Sequence, residues 1–396
     1  MNDASPIYDT VVIGGGPAGL TAAIALAETG ARTALLARRA PYADNRTTAL
    51  LGASTDLLER LDVWRRCRDQ AAALRTMRLV DDTGRLIRAP EVRFSSQEIG
   101  LDQFGYNIDN RTLMAALEER AAELSGLTRF DDEAAGVDPQ DAMVAIHTRA
   151  GGSLSARLVI GADGRQSLSR EAAGIDVKRR DLHQSALTFN ISHSRPHKNI
   201  STEFHTPHGP CVFVPLPGNR SSVVWVSAAK EAERLMALGD DELSDAAEKQ
   251  SHSILGSVRV EPGRNLFPLS IESLRQFASH RVALVGESAH VLPPIGAQGL
   301  NMGLRDAADI ADIAGQALSL GEDPGAPQVL ARYQSARRAD VASRMFAIDL
   351  ANRSLLSDFL PVQSLRAVGL HLIGSFGPLR RLAMREGLAP TWKRVG

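Results

Sequence analysis

Cysteine is nearly missing: Cys67 and Cys211 stand alone in unrelated contexts among 396 residues. Neither a C-x-x-C pair nor a disulfide framework can be drawn from them, and a reducing compartment is the simpler expectation. An excess of charge of one sign is missing too. Lys+Arg 45 against Asp+Glu 46 leaves no electrostatic case for nucleic acid. No apolar run approaches the roughly 20 residues that a membrane span requires. Residues 1–6 are a polar lead with no basic n-region and no cleavage pattern, so the expected protein is cytoplasmic, soluble or only peripherally attached. No internal repeat or low-complexity tract occurs. What remains is a chain long enough for two or more domains with large cores.

Glycine is where the information lies. Residues 282–306 read VALVGESAHVLPPIGAQGLNMGLRD. An apolar run ends at Gly286, and an acid, a histidine and two prolines follow. Then come Gly296, Gly299 and Asn301, before small and apolar residues continue at helical spacing. This pattern predicts a strand, a tight loop and a long helix. Gly296 and Gly299 would let backbone approach a flat or phosphorylated ligand closely. Glu287, at the carboxyl end of the strand, is placed to accept hydrogen bonds from ligand hydroxyls. The start of the helix offers unpaired N–H groups and a positive dipole end to an anion.

Near the other end of the chain, an apolar strand over residues 8–13 leads into Gly14-Gly15-Gly16-Pro17-Ala18-Gly19. An Ala-rich helix over 17–29 and a strand over 32–37 complete the opening of a βαβ unit. Alone, G-x-G-x-x-G marks ordinary turns. After a strand, and with Pro in the first helical turn, it predicts dinucleotide binding. Gly14 would make the turn, Gly16 admit a pyrophosphate and Gly19 let helix and strand pack. The acid expected at the end of the second strand is absent. Ala37 stands there, and Arg38 and Arg39 are the alternative ribose contacts. A third motif, Gly161-Ala162-Asp163-Gly164-Arg165, reads equally as an Asp-Gly turn and as a functional junction.

Between these motifs a helix is expected over 46–61, strands over 77–80 and 85–87, and an amphipathic helix over 110–124. Strands near Val137 and over 144–148 and 158–160 precede a short helix at 167–173. From about Asp176 to Leu274 the alternation predicts antiparallel strands at 186–192, 200–205, 211–215 and 222–227, with one acidic helix at 231–250. Long amphipathic helices with Leu355, Leu356, Phe359, Leu360, Leu365 and Leu370 run on from Pro327. The layout is one α/β domain split by an inserted antiparallel sheet and closed by C-terminal helices. His183, His193, His197, His205 and His208 crowd together without ligand spacing, so no metal site is expected. His290 reads as a loop-fixing hydrogen-bond donor and Trp225 as a core aromatic of the sheet.

In order along the chain, GGGPAG, GADGRQSLSR and VGESAHVLPPIGAQGLNMGLRD resemble the motifs of the FAD-dependent aromatic hydroxylases, the flavoprotein monooxygenases of the para-hydroxybenzoate hydroxylase fold. GAQGLNMGLRDAADI and the stretch from Asp44 to Leu50 are most similar to the ubiquinone-biosynthesis hydroxylases. The resemblance extends over nearly the whole chain and is loosest between Asp176 and Leu274. It implies a Rossmann-like FAD-binding domain at 1–75, 106–176 and 276–325, with substrate-domain strands at 76–105. An antiparallel-sheet substrate domain at 177–275 and C-terminal helices at 326–396 complete the division. It further implies FAD held at Gly14, Gly16, Pro17, Ala18, Gly19, Arg46, Asn110, Asp163, Glu287, Gly299, Leu300 and Asn301. Pro293, Gly296 and Gln298 would line the flavin ring. The family usually has Asp where this chain has Glu287. NAD(P)H would be the reductant and O₂ the co-substrate, acting on the ring of an apolar polyprenylated phenol with no acid–base pair demanded. Hydroxylation of a soluble aromatic and reduction of prenyl double bonds are the alternatives, and a non-catalytic subunit with weak FAD ranks last. The resemblance also admits a homodimer and peripheral attachment to the inner membrane or to a multienzyme complex.

Overall fold

The structure, a computed structural model, describes residues 6–39, 45–84, 90–294 and 296–356, with side chains as far as Met345, and Gly377, Arg380, Arg381 and Met384. Asp44, the strand expected at 85–87 and the Leu-rich stretch at 359–370 lie outside these residues.

Strand Ile7–Ile13 is apolar on both faces because it sits in the middle of a covered sheet. It pairs in parallel with Thr33–Leu36 on one side and Ser153–Gly161 on the other. Leu127–Phe130 extends the parallel sheet beyond Thr33–Leu36, and Val282–Leu284 extends it beyond Ser153–Gly161. The register decides what this arrangement is for. Ile13 lies opposite both Leu36 and Gly161, and Gly161 lies opposite Leu284. The three motifs therefore leave three adjacent strands at one level, at their carboxyl ends. That is where open α/β sheets bind ligands.

A second, mostly antiparallel sheet carries Val177–His193, flanked by Arg220–Ala228 on one side and by Val258–Val260 and Asn265–Leu274 on the other. It continues through Gly209–Leu216, Ile200–Thr206, Thr76–Asp81 and Val92–Ser95. Its core of Leu187, Phe189, Phe204, Phe213 and Val223 is separate from the core around the parallel sheet.

Several local expectations need correction. The helix expected over 46–61 begins only at Gly52 and ends at Arg60, because Thr47–Leu51 is a strand. That strand pairs with Gly105–Asp109, whose far side carries Ala71–Leu74. A Cβ at Gly105 would collide with the Leu50 carbonyl, so a distant glycine admits the pairing and tertiary context overrides the local helical pattern. The acidic helix is two helices, Ala229–Met236 and Asp240–Gln250. The second starts afresh at Gly239 with three acids facing its positive end. The strand expected at 186–192 is the C-terminal part of a 17-residue strand, Val177–His193, whose register shifts between Asp181 and Ser185. Strand Asn265–Leu274 was not foreseen. From Pro327 the described chain runs as the helix Pro327–Leu356, and Gly377, Arg380, Arg381 and Met384 are helical as well.

The helix Gln298–Ser319 crosses the Pro17–Glu28 helix and is bolted to the Pro327–Leu356 helix by buried charge. Asp306 accepts the Gly286 N–H at 2.9 Å and His290 Nε2–H at 2.6 Å, and its other oxygen lies 2.6 Å from Arg337 Nε. Arg337, fully buried, reaches Asp309 at 2.8 Å and Asp340 at 2.9 Å. Asp340 also receives Arg305 and Arg344, each at 2.9 Å. Tyr333 adds a hydrogen bond to the Leu284 carbonyl at 2.7 Å. Burial pushes the Asp306 carboxyl up, but the Arg337 charge and His290 outweigh it and hold the group below its ordinary value.

Removing Arg337 takes a buried cation away from Asp306, Asp309 and Asp340 at once. Arg337→Met should lower stability by about 3–5 kcal/mol in urea unfolding, since one partner of a buried network is removed and the others stay charged. A group depressed in the folded state stabilises fully above its ordinary value, here 3.8, and loses that contribution as the pH falls through the lower folded value. Asp306→Asn protein, already weaker at neutral pH, should therefore lose less stability than the parent between about pH 4 and lower pH. Unfolding midpoints across that range are the measurement.

Candidate functional site

Each glycine of the first motif has a distinct physical reason. Gly14 has φ +112 and rests against the Ala162 carbonyl, so a Cβ there would collide with the second motif. A Cβ at Gly19 would collide with the Gly14 carbonyl, which fixes how closely the helix packs on its strand. Gly16 has an ordinary φ of −71, and a Cβ there would meet nothing within 4 Å. This residue heads the Pro17–Glu28 helix, which has no side-chain cap and no acid in its first turn. Open space in front of uncapped N–H groups suits an anion.

The late motif closes on the same place. A Cβ at Gly303 would stand 3.1 Å from Gly286 Cα and 3.2 Å from the Ala18 methyl. A Cβ at Gly286 would stand 3.1 Å from that methyl. Ala18, in the first turn after the glycine loop, is thus packed between the two glycines of the late motif. Glu287, in the turn Gly286–Ser288, is exposed between buried neighbours and makes no side-chain hydrogen bond or ion pair among the described residues. Gly296 and Gly299 are exposed, whereas Pro293 and Gln298 are buried. Ala297, with φ +54, heads the Gln298–Ser319 helix, which likewise has no side-chain cap and no acid in its first turn. Both helices that meet at Ala18 therefore start without a side-chain cap.

Three expected site side chains are occupied within the protein. Asp163 accepts Ser167 Oγ–H at 2.5 Å, the Ser169 N–H at 2.9 Å and Ser169 Oγ–H at 3.0 Å. Asn301 accepts from Leu51 N–H at 2.9 Å and Ser54 Oγ–H at 2.6 Å and donates to the carbonyls of Ala49 and Ala297. Gln298 donates to the Gly296 carbonyl at 3.1 Å and accepts from Arg344 at 2.8 Å. At these positions backbone is what remains to face a ligand. The leading Leu300 N–H belongs to the same first turn.

Arg46 and Asn110 come together, the Asn110 N–H donating to the Arg46 carbonyl at 3.0 Å. The Arg46 guanidinium lies 5.0 Å from the Phe267 ring centroid, so this pair marks the seam with the antiparallel sheet. Polar side chains stitch that seam. Asn45 donates to the Pro262 carbonyl, Thr47 to Ser222 and Asn107 to the Pro215 carbonyl. Buried Glu272 takes Arg165 of the middle motif at 3.0 Å and Arg179 at 2.9 Å, and its backbone pairs with Val291.

Position 37 carries no acid, but two stand beside it. Asp131 accepts the Arg39 N–H at 2.7 Å, and Glu133 lies 3.7 Å from Arg38. Both follow the neighbouring strand Leu127–Phe130, a relation that only the sheet order reveals. Sequence reasoning also missed Asp306, Arg337, Asp340 and Arg344. Their signal was present, since 337, 340 and 344 fall on one stripe of a helix. His290 fixes the loop through Asp306. Trp225 is half-buried against the antiparallel-sheet core. The neighbouring histidines are held separately: His193 between the Arg195 carbonyl and Ser221, and His205 by Glu203. Among the described residues no group of three or more His, Cys, Asp or Glu could hold a metal ion. Burial pushes the Cys67 thiol up to about 12 and that of Cys211 well above its ordinary value, so neither is a nucleophile. Two cavities of ≈ 660 and ≈ 630 Å³ lie beside Arg275 and Arg338, away from the glycine loops. Among the described residues no helix is long and apolar enough to cross a membrane.

A family model described as FAD binding domain matches residues 7–347. Ubiquinone hydroxylase UbiL of Rhodospirillum rubrum is 33% identical over 392 residues, 97% of this chain and 90% of that protein. The 3-demethoxyubiquinol 3-hydroxylase of Escherichia coli is 29% identical over 96% of this chain and 98% of its own length. Among solved structures, p-nitrophenol 4-monooxygenase PnpA from Pseudomonas putida DLL-E4 superposes with a TM-score of 0.79 at 21% identity, covering 97% of this chain and 99% of that one. A variant of Klebsiella pneumoniae HpxO complexed with FAD gives 0.75 at 16% identity, covering 96% and 98%. By its sequence relatives and its family match, the chain belongs to the FAD-dependent aromatic hydroxylases, flavoprotein monooxygenases built on the FAD binding domain.

Proposed function

We propose that this chain hydroxylates the aromatic ring of a polyprenylated phenol in ubiquinone biosynthesis, using FAD, NAD(P)H and O₂. The observation that carries the FAD site is the meeting of Ala18 with Gly286 and Gly303, next to an open Gly16 at the uncapped start of the first helix. The substrate class rests on the relatives, one named a ubiquinone hydroxylase and another a 3-demethoxyubiquinol 3-hydroxylase.

The residues fit a dinucleotide. Gly14, Gly16 and Gly19, with Pro17 and Ala18, would hold the pyrophosphate against the first helix start. Glu287, exposed and uncommitted, would accept from ribityl hydroxyls. Arg46 and Asn110 would lie along the same part of the cofactor, and the Asp163 turn would close the middle. Pro293, Gly296 and Gln298 would shape the loop beside the ring, with the N–H groups of Gly299, Leu300 and Asn301 behind it. Bound FAD supplies the redox and oxygen chemistry. The protein's own work is to orient the ring carbon at near-attack distance and to exclude water. A polyprenyl tail partitions into a bilayer, so the enzyme works at a membrane surface, directly or within a multienzyme assembly.

Two glycine variants separate fold from binding. Gly16→Val meets open space at an ordinary φ, so it should fold like the parent while losing FAD affinity by about a hundredfold or more. Gly14→Ala combines positive φ with a backbone collision and should lose stability by at least about 1–3 kcal/mol. FAD titration alongside thermal unfolding distinguishes the two, and a Gly16→Val protein with full flavin refutes the pyrophosphate placement. For the activity, purified protein should show a flavin spectrum and couple NAD(P)H oxidation to hydroxylation of a polyprenylated phenol. Tight coupling with a soluble phenol and none with the prenylated one would overturn the substrate assignment.

A further inference from the structure

The buried charges around the Gln298–Ser319 helix cancel in sum but not in place. Asp306, Asp309 and Asp340 match Arg305, Arg337 and Arg344 in number. Asp306 and Asp309, however, lie at the His290 end and are served by Arg337. At the other end Arg305 and Arg344 share Asp340, which Arg337 already touches. The ladder is therefore polarised, with its cationic end beside Gln298. Nη2 of Arg305 and Nη2 of Arg344 are buried there without a hydrogen-bond acceptor among the described residues, and Arg344 is 8% exposed. Unsatisfied guanidinium N–H groups in the interior call for a reason.

Arg344 Nη1 donates to Gln298 Oε1 at 2.8 Å, which orients the amide so that its Nε2 donates to the Gly296 carbonyl at 3.1 Å. Gly296 and Ala297 have φ +63 and +54, two successive left-handed residues of which the second is not glycine. Asn301 holds the Ala297 carbonyl at 2.6 Å from the other side. The turn that aims the first N–H groups of the helix is thus clamped twice, and one clamp ends in a buried positive charge. In a dry interior such a charge acts over longer range than in water.

We propose that Arg344, acting through Gln298, is a positioning residue that fixes the Gly296–Ala297 turn and makes its surroundings electropositive, favouring the reduced over the oxidised form of a bound flavin. The proposal rests on the flavin reading above. Arg344 touches neither substrate nor reacting atoms in this account.

The test uses the full chain as parent, Arg344→Met, Arg344→Lys and Gln298→Leu. The measurements are FAD titration of the apoprotein and the midpoint potential of the bound flavin. Arg344→Met should disfavour the reduced form about tenfold, a fall of about 30 mV for a two-electron couple. Arg344→Lys, which keeps the charge, should recover most of that fall. Gln298→Leu keeps every charge of the ladder but frees the turn, so it should weaken FAD binding and lower the potential by less than Arg344→Met. A merely structural role would leave the potential unmoved. Should Arg344→Met fail to fold, Gln298→Leu with parental FAD affinity and potential overturns the proposal by itself. A parent that takes up FAD, with Arg344→Met at the same potential, overturns this inference alone; a parent that takes up none overturns the nucleotide reading and this one with it.

Discussion

Asp306 lies wholly inside the protein yet must stay ionised, because the Gly286 N–H and His290 hydrogen-bond to it while Arg337 faces its other oxygen. That one carboxylate ties the turn after strand Val282–Leu284 to a helix 20 residues further on, and through Arg337 to the C-terminal helix. With the turn fixed, Gly286 meets Ala18 and the late motif is held against the first glycine loop. An ionised group in the interior is tolerable only when it is paired and hydrogen-bonded. The pairing here does more than offset burial, since its partners come from two separate stretches of chain, the Gly286–His290 turn and the C-terminal helix.

The parallel sheet supplies the second constraint. A glycine loop binds a nucleotide only if the strand before it ends at the right height. Ile13, Gly161 and Leu284 share that height because they are register partners across adjacent strands. Small residues then bring the turns together: Gly14 against Ala162, and Gly161 against Ser169 and Leu284. Arg170 closes the arrangement by donating to the Ser288 carbonyl at 3.0 Å and to that of Arg165 at 2.7 Å. The three motifs are thus joined by contacts too close for a larger side chain, which explains why glycine and alanine mark them.

Much of this was legible in the chain because the informative residues are local. A strand, a glycine turn and a helix with Pro in its first turn are a short-range pattern, and so is the long helix after Gly299. The failures share a different cause. Thr47–Leu51 reads as helix until Gly105 offers it an edge. Asn265–Leu274 becomes a strand by pairing with Val177–His193 across four intervening strands and two helices. The side-chain partners of Asn301, Asp163 and Gln298 likewise emerge only from the fold, since each holds a loop in shape. The acids near position 37 arrive just after a strand about 90 residues further on. No window along the chain contains such relations, because they are properties of the sheet order.

The seam between the two halves has a different character from either core. One core surrounds the parallel sheet and the other fills the antiparallel one, and the described links between them include Asn45 to Pro262, Thr47 to Ser222, Asn107 to Pro215 and Arg165 to Glu272. The neutral bonds among these contribute about 1 kcal/mol each, whereas the pair at buried Glu272 is costly to break. The two halves thus meet through directional bonds that fix their mutual orientation, while each keeps an apolar interior of its own.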